Sequence, residues 1–165
     1  HRWAPRGIAS SHALMVAQHP LSFLAESYRS IRTVLLLGRS DNSPRVILVT
    51  SAHPGDGKTT ITLNLGITLA QSGRSVVVVD ADLRKGNCHS QLAVQNRYGL
   101  THLLTDGLPL EVCVQSTAVA GFSVLTRGGI PPNPTDLLAS SEMPPKNPAV
   151  QCSALPHDAG LRWKT

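Results

Sequence analysis

The spacing of apolar and polar positions predicts an alternation of strands and helices. Val46-Ile47-Leu48-Val49-Thr50 is a short unbroken apolar run, the pattern of a buried strand. Along 61–70, Ile61, Leu65 and Leu69 fall on one side of a helix and Leu63, Ile67 and Ala70 on another. That helix should be largely buried and should end near Gly73. Four consecutive valines, Val76 to Val79, predict a strand covered on both faces. Upstream, Leu24, Tyr28, Ile31 and Leu35 make one apolar stripe on a helix over 22–37. Glu26, Arg29 and Arg32 lie off that stripe and read as a solvated face with local ion pairs. Residues 1–19, with Pro5, Gly7 and mixed polarity, read as a linker, and Gly38 to Pro44 as a loop. After Arg84 the signals weaken. Residues 85–98 lack apolar periodicity, Gly99–Leu104 and Leu110–Val114 predict short helices, and Gly121–Thr126 predicts a third strand at an edge.

Between the first strand and the long helix stands Ser51-Ala52-His53-Pro54-Gly55-Asp56-Gly57-Lys58-Thr59-Thr60. Strand, glycine-rich turn, Gly-Lys-Thr and helix are the context of a phosphate-binding P-loop. Gly55 and Gly57 permit backbone angles that turn successive N–H groups toward one anion. The helix start adds unpaired donors and the positive end of its dipole. Lys58 would reach the β- and γ-phosphates, and the Thr59 hydroxyl would ligate Mg²⁺. The general pattern has glycine where this chain has Ala52. A second element follows the valine run: Asp80 and Asp82, at the carboxyl end of the strand, where ligands sit in open α/β sheets. If the strand persists, the two carboxylates point the same way. Such a pair could hold Mg²⁺ or its waters, or accept a proton from an attacking hydroxyl.

Ala52 to Thr60, followed by Val79-Asp80-Ala81-Asp82-Leu83-Arg84, resembles the bacterial tyrosine kinases. These are cytoplasmic domains of polysaccharide co-polymerases that control capsule and exopolysaccharide export. Alanine at the first P-loop position is usual in that family, and Asp56 stands where it usually has glutamate. Two further segments are similar. Glu26, Arg29 and Arg32 match a Glu-x-x-Arg-x-x-Arg pattern, and Gly128 to Leu138 matches the loop before the next helix. The resemblance implies an α/β, P-loop NTPase-like fold with a mostly parallel sheet and flanking helices. It implies ATP and Mg²⁺ as cofactors, with Pro54, Gly55, Asp56, Gly57, Lys58, Thr59 and Thr60 cradling phosphate. Lys58, Asp80 and Asp82 become the catalytic candidates: Asp80 to help deprotonate the tyrosine, Asp82 and Thr59 on the metal side. Arg84 would steady the acidic loop. Glu26, Arg29 and Arg32 become candidate interface residues of a homo-oligomer. The partners implied are a tyrosine-bearing protein, itself or a neighbouring subunit, and a membrane activator or co-polymerase segment. The domain would be cytoplasmic, held at the inner face of the membrane. Partition or septum-site ATPases and non-catalytic nucleotide-binding regulators share parts of this pattern. The former usually carry a second, early P-loop lysine, where this chain has Ala52-His53-Pro54.

Composition narrows the setting. With 165 residues and 41% hydrophobic content, the chain can bury one core. Its net charge of +5 is spread without a Lys/Arg run, so nucleic acid is not an expected partner. Cys88, Cys113 and Cys152 lack zinc-type spacing and suit a reducing compartment. His53 reads as an exposed loop residue. No apolar run reaches the ~20 residues needed to span a bilayer. The chain starts at His1 rather than Met and reads as a fragment. The pattern stops at Glu142, where Pro144, Pro145 and Pro148 oppose a helix. The resembled family places a Walker B strand next, between the strands at 46–50 and 76–80. Leu155-Pro156-His157-Asp158 is not one. Residues 20–141 therefore read as a partial kinase domain, and 142–165 as an irregular tail unrelated to the family, as a frameshift or gene chimera gives. A sheet without its central strand leaves backbone groups unpaired, and such a domain is expected to be unstable by itself.

Overall fold

The computed structural model describes residues 14–37 and 44–139. The tail assigned to 142–165, most of the linker and most of the loop at 38–44 lie outside them. In chain order the elements are α1 (Met15–Gln18), α2 (Phe23–Leu37), α3 (Lys58–Ala70), β1 (Val76–Val79), α4 (Cys88–Leu92), α5 (Leu100–Thr105), α6 (Leu110–Cys113), β2 (Val114–Ser116), β3 (Phe122–Leu125) and α7 (Pro134–Ala139). The sheet order is β1-β3-β2. β1 pairs with β3 in parallel, Val76 opposite Phe122 and Val79 opposite Leu125. β2 pairs with β3 antiparallel. The strand predicted as an edge at 121–126 is therefore the central one. The antiparallel partner β2 has only three residues, too few to show a period of two.

Alternation along β3 builds two cores. Phe122 and Val124 face a cluster with Val16, Leu63, Ile67 and Val78. Leu125 faces another with Leu83, Leu100, Leu104 and Cys113. Helices thus cover both faces of the sheet, as an α/β fold requires. Helix α3 forms where its pattern predicts, buried continuously from Leu63 to Ala70, and the chain turns at Gly73 (φ 86°) into β1.

The strand predicted over Val46–Thr50 does not form. Val46 and Leu48 are 63% and 86% exposed. A strand is a property of a pair, and no described segment is hydrogen-bonded to this one. β1 likewise has one edge without a described partner. Val76 and Asp80 donate to the Gly121 and Leu125 carbonyls. The ladder's alternation therefore turns the Val77 and Val79 peptides to the opposite edge, where they have no partner among the described residues. Val79 is correspondingly half-exposed rather than covered on both faces.

Two other expectations change. Helix α2 turns Ala25 and Tyr28 inward, with Leu35 and Leu36 against the core, and leaves Leu24 and Ile31 exposed. The helix is apolar on two sides, since Phe23, Leu24, Ile31, Val34 and Leu37 form a second, outward face. The side carrying small Ala25 is the one that packs against α1 and α3. Helix α1 lies inside the stretch read as linker, yet Leu14, Val16 and Ala17 are fully buried.

Helix α3 meets the sheet at Gly66. A Cβ there would sit 2.6 Å from Phe122 Cε2 and 3.3 Å from Val78 Cγ2. Replacing Gly66 by alanine gains about 1 kcal/mol of helix propensity, but overpacking costs about 1–3 kcal/mol. We expect Gly66→Ala to lower the urea-unfolding free energy, and an increase would show that Phe122 yields freely.

Candidate nucleotide site

Helix α3 starts at Lys58 with Gly57 as its N-cap, and Gly55 and Gly57 have φ of 90° and 89°. No atom lies within 4 Å of where a Cβ would stand on Gly57, so the glycine is demanded by the backbone angle alone. The turn is held from within. The His53 N–H donates to Asp56 Oδ2 at 3.0 Å, and Ser51 Oγ donates to the His53 carbonyl at 3.0 Å. Asp56, in the family's glutamate position, thus ties the loop across its own bend. Lys58 Nζ donates to Ser51 Oγ at 3.3 Å and forms no ion pair among the described residues. Its ammonium keeps donors free for an anion. One turn inward, Asn64 Nδ2 donates to the Thr60 carbonyl at 2.8 Å while Asn64 Oδ1 accepts the Val16 N–H at 2.9 Å. This buried amide locks the start of α3 to α1.

The acidic loop follows β1. Asp80 is 6% exposed, and its N–H still donates to the Leu125 carbonyl at 2.9 Å. Its Oδ2 accepts the Cys88 N–H at 3.1 Å. Asp82 is exposed, and its Oδ1 accepts the Lys85 N–H at 2.9 Å. The two carboxylates therefore do not share the predicted direction. The strand stops at Val79, the chain bends, and period-two alternation no longer applies. Leu83, 1% exposed, pins the loop into the second core, and Arg84 Nη2 donates to Thr135 Oγ1 at 3.1 Å. Arg84 thus links the loop to α7.

Topology sets loop and P-loop at one end. A five-residue connection, 71–75, reverses the chain between α3 and β1. Gly66, midway along α3, lies over Val78, midway along β1. The N-terminus of α3 and the carboxyl end of β1 therefore face the same side of the sheet. Lys58, Thr59, Asp80 and Asp82 all belong to that end. Glu26, Arg29 and Arg32 do not. Arg29 pairs with Glu26 at 2.8 Å and donates to the Pro20 carbonyl, and Arg32 Nη1 reaches the Thr68 carbonyl at 3.4 Å.

Sequence reasoning missed Gly86, Cys88 and Arg127. A Cβ on Gly86 would collide with both Asp80 carboxylate oxygens. The Cys88 thiol donates to Asp80, and Arg127 Nε donates to the Gly86 carbonyl at 2.9 Å. The one available signal was a glycine closing a loop of charged residues.

Residues 47–109 match the CobQ/CobB/MinD/ParA nucleotide binding domain family. Tyrosine-protein kinase YwqD of Bacillus subtilis is 38% identical over 138 residues, covering 84% of this chain and 58% of that protein. The solved kinase domain of Escherichia coli tyrosine kinase ETK superposes with a TM-score of 0.74 at 34% identity, covering 79% of this chain and 51% of that one. The chimerical protein CapA2B2 gives the same TM-score at 36% identity, covering 81% and 58%. Over most of its length the chain is similar to bacterial tyrosine kinases. It spans 58% of the length of YwqD. No helix among the described residues is long and apolar enough to cross a membrane.

The thiol beside Asp80 is hard to ionise. Burial pushes the Cys88 pKa far up, and the Asp80 charge and hydrogen bond push it further. Burial also raises Cys113, with Asp106 and Glu111 adding to it. The unfolded chain releases these protons from about pH 8.5 while the folded chain keeps them. Stability is therefore full below that pH and falls above it, by at most ~1.4 kcal/mol per pH unit for each thiol. Urea midpoints between pH 7 and 10 should fall in the wild type and less steeply in Cys88→Ser, whose hydroxyl can still donate to Asp80. Parallel pH profiles would refute the assignment.

Proposed function

We propose that this domain binds Mg·ATP at 54–60 and, within the intact kinase, transfers the γ-phosphoryl group to a tyrosine hydroxyl. The supporting observation is the closed turn with positive φ at Gly55 and Gly57, set at the sheet end that carries Asp80 and Asp82. The N–H groups of that turn and the start of α3 suit a polyphosphate, and Lys58 supplies mobile positive charge. No three His, Cys, Asp or Glu side chains converge among the described residues, so the protein offers few metal ligands. That fits Mg²⁺ held largely by phosphate oxygens and water, with the free Thr59 hydroxyl and the exposed Asp82 carboxylate available on the protein side. Bound there, Mg²⁺ would neutralise charge on the phosphates. Asp80, fixed by backbone and thiol donors, is the base that would accept the tyrosine proton.

The acceptor belongs to another segment or subunit. Tyr28 is buried, and Tyr98 stacks edge-on against His102 with Arg97 over its ring. A neighbour could dock on the outward apolar face of α2, beside Glu26, with Arg29 and Arg32 bracing the helix from behind. By resemblance the intact protein would be tethered at the inner membrane face by a co-polymerase segment and would regulate exopolysaccharide export.

Fluorescent ADP with Mg²⁺ should bind the wild-type chain. Lys58→Met should weaken that binding by about 1.5–3 kcal/mol, the value of hydrogen bonds to a charged group, while leaving the circular-dichroism spectrum unchanged. Equal binding by the two proteins would remove the nucleotide site. Binding without phosphotyrosine on a tyrosine-bearing partner chain would reduce the function to a nucleotide-dependent regulator.

A further inference from the structure

Arg127 has no part in the motifs that define the site, yet its side chain reaches into the acidic loop. It leaves the carboxyl end of β3 on a fixed backbone, its carbonyl accepting the Thr101 N–H at 3.0 Å and that of Thr126 the Leu100 N–H at 2.7 Å. From there Nε donates to the Gly86 carbonyl at 2.9 Å. On the other side of Gly86, its own N–H donates to the Asp82 carbonyl at 2.7 Å. The Gly86 backbone is thus gripped at both ends. Its α-carbon forms the wall against the Asp80 carboxylate, closely enough that a Cβ would strike both oxygens. Nη1 of Arg127 is buried and has no partner among the described residues. A partly buried guanidinium with an unmatched donor is a poor device for stability alone.

We propose that Arg127 is a positioning residue, which through the Gly86 carbonyl holds the acidic loop shut on Asp80 and Cys88. The contact spans two neighbouring strands, from the end of β3 to the loop after β1. It backs the glycine that walls the Asp80 carboxylate. The catalytic consequence rests on the reading of Asp80 as the base, but the mechanical claim does not.

Site-resolved alkylation of the native protein by iodoacetamide, read by mass spectrometry, tests that claim. Cys88 is 4% exposed and reports on the loop; Cys113, fully buried in the other core, reports on global opening. Arg127→Gln should speed Cys88 alkylation by about tenfold or more, the loss of one hydrogen bond from a charged donor, and leave Cys113 unchanged. Arg127→Lys, which can still donate to the Gly86 carbonyl, should stay near wild type. Gly86→Ala should free Cys88 as Arg127→Gln does. An unchanged Cys88 rate in Arg127→Gln or in Gly86→Ala overturns the proposal, and so does a joint rise of Cys88 and Cys113. In phosphotransfer assays Arg127→Gln should lower kcat with KM for ATP nearly constant. If the intact wild-type kinase transfers no phosphoryl group, the kinase reading falls while the alkylation rates still decide the loop's anchoring.

Discussion

The parallel pairing of β1 with β3 carries the site. Four valines have little to specify them beyond β-propensity, yet the register sets Val79 against Leu125 and extends to an Asp80–Leu125 hydrogen bond. That bond fixes the backbone of a buried carboxylate. A slip by one residue would exchange the faces, sending Val78 away from α3 and breaking the seat of Gly66 on Phe122. The start of α3, and with it the P-loop, would then lose its relation to Asp80. Position of the phosphate cradle and position of the acid are one constraint expressed twice.

The pairing is one-sided. The outer edge of β1 offers its peptides to no described neighbour, and Val46–Leu48 stand exposed where a strand was expected. Each peptide group that is buried without a partner costs about 1–3 kcal/mol, so an edge without a described partner is tolerable only while water reaches it. The exposure of Val46, Leu48 and Val79 is that compromise. It weakens the segment leading into the P-loop, whose own geometry is then left to Asp56, Ser51 and the Asn64 bridge.

What could be read from the residues follows from how local each cause is. The P-loop was legible because glycine angles, the lysine and the helix start lie within seven consecutive positions. α3 was legible because its periodicity is strong. Val46–Thr50 was misread because apolar content says that a segment could be a strand, while only a neighbour makes it one. The inward face of α2 was misread because two apolar faces compete, and the choice falls to contacts with α1 and α3. The shared direction of Asp80 and Asp82 failed where the strand ended one residue early. Arg127 was invisible because it acts across 41 residues of chain, on a carbonyl rather than on another side chain.

The different settings of the two acids suit the division of labour proposed for them. A pair of parallel carboxylates would repel each other and share one environment. Here Asp80 is turned inward onto an N–H, a thiol and a glycine wall, while Asp82 faces water and caps the turn at Lys85. The buried acid has fixed orientation, which proton abstraction from a positioned hydroxyl needs. The exposed acid keeps the freedom and hydration that an outer-sphere Mg²⁺ contact needs. One bend after Val79 separates these two settings. Leu83 anchors the bend in the second core, and Arg84 and Arg127 link it to Thr135 and to the end of β3. The chemistry proposed for this domain therefore depends less on having two aspartates than on the loop that prevents them from behaving alike.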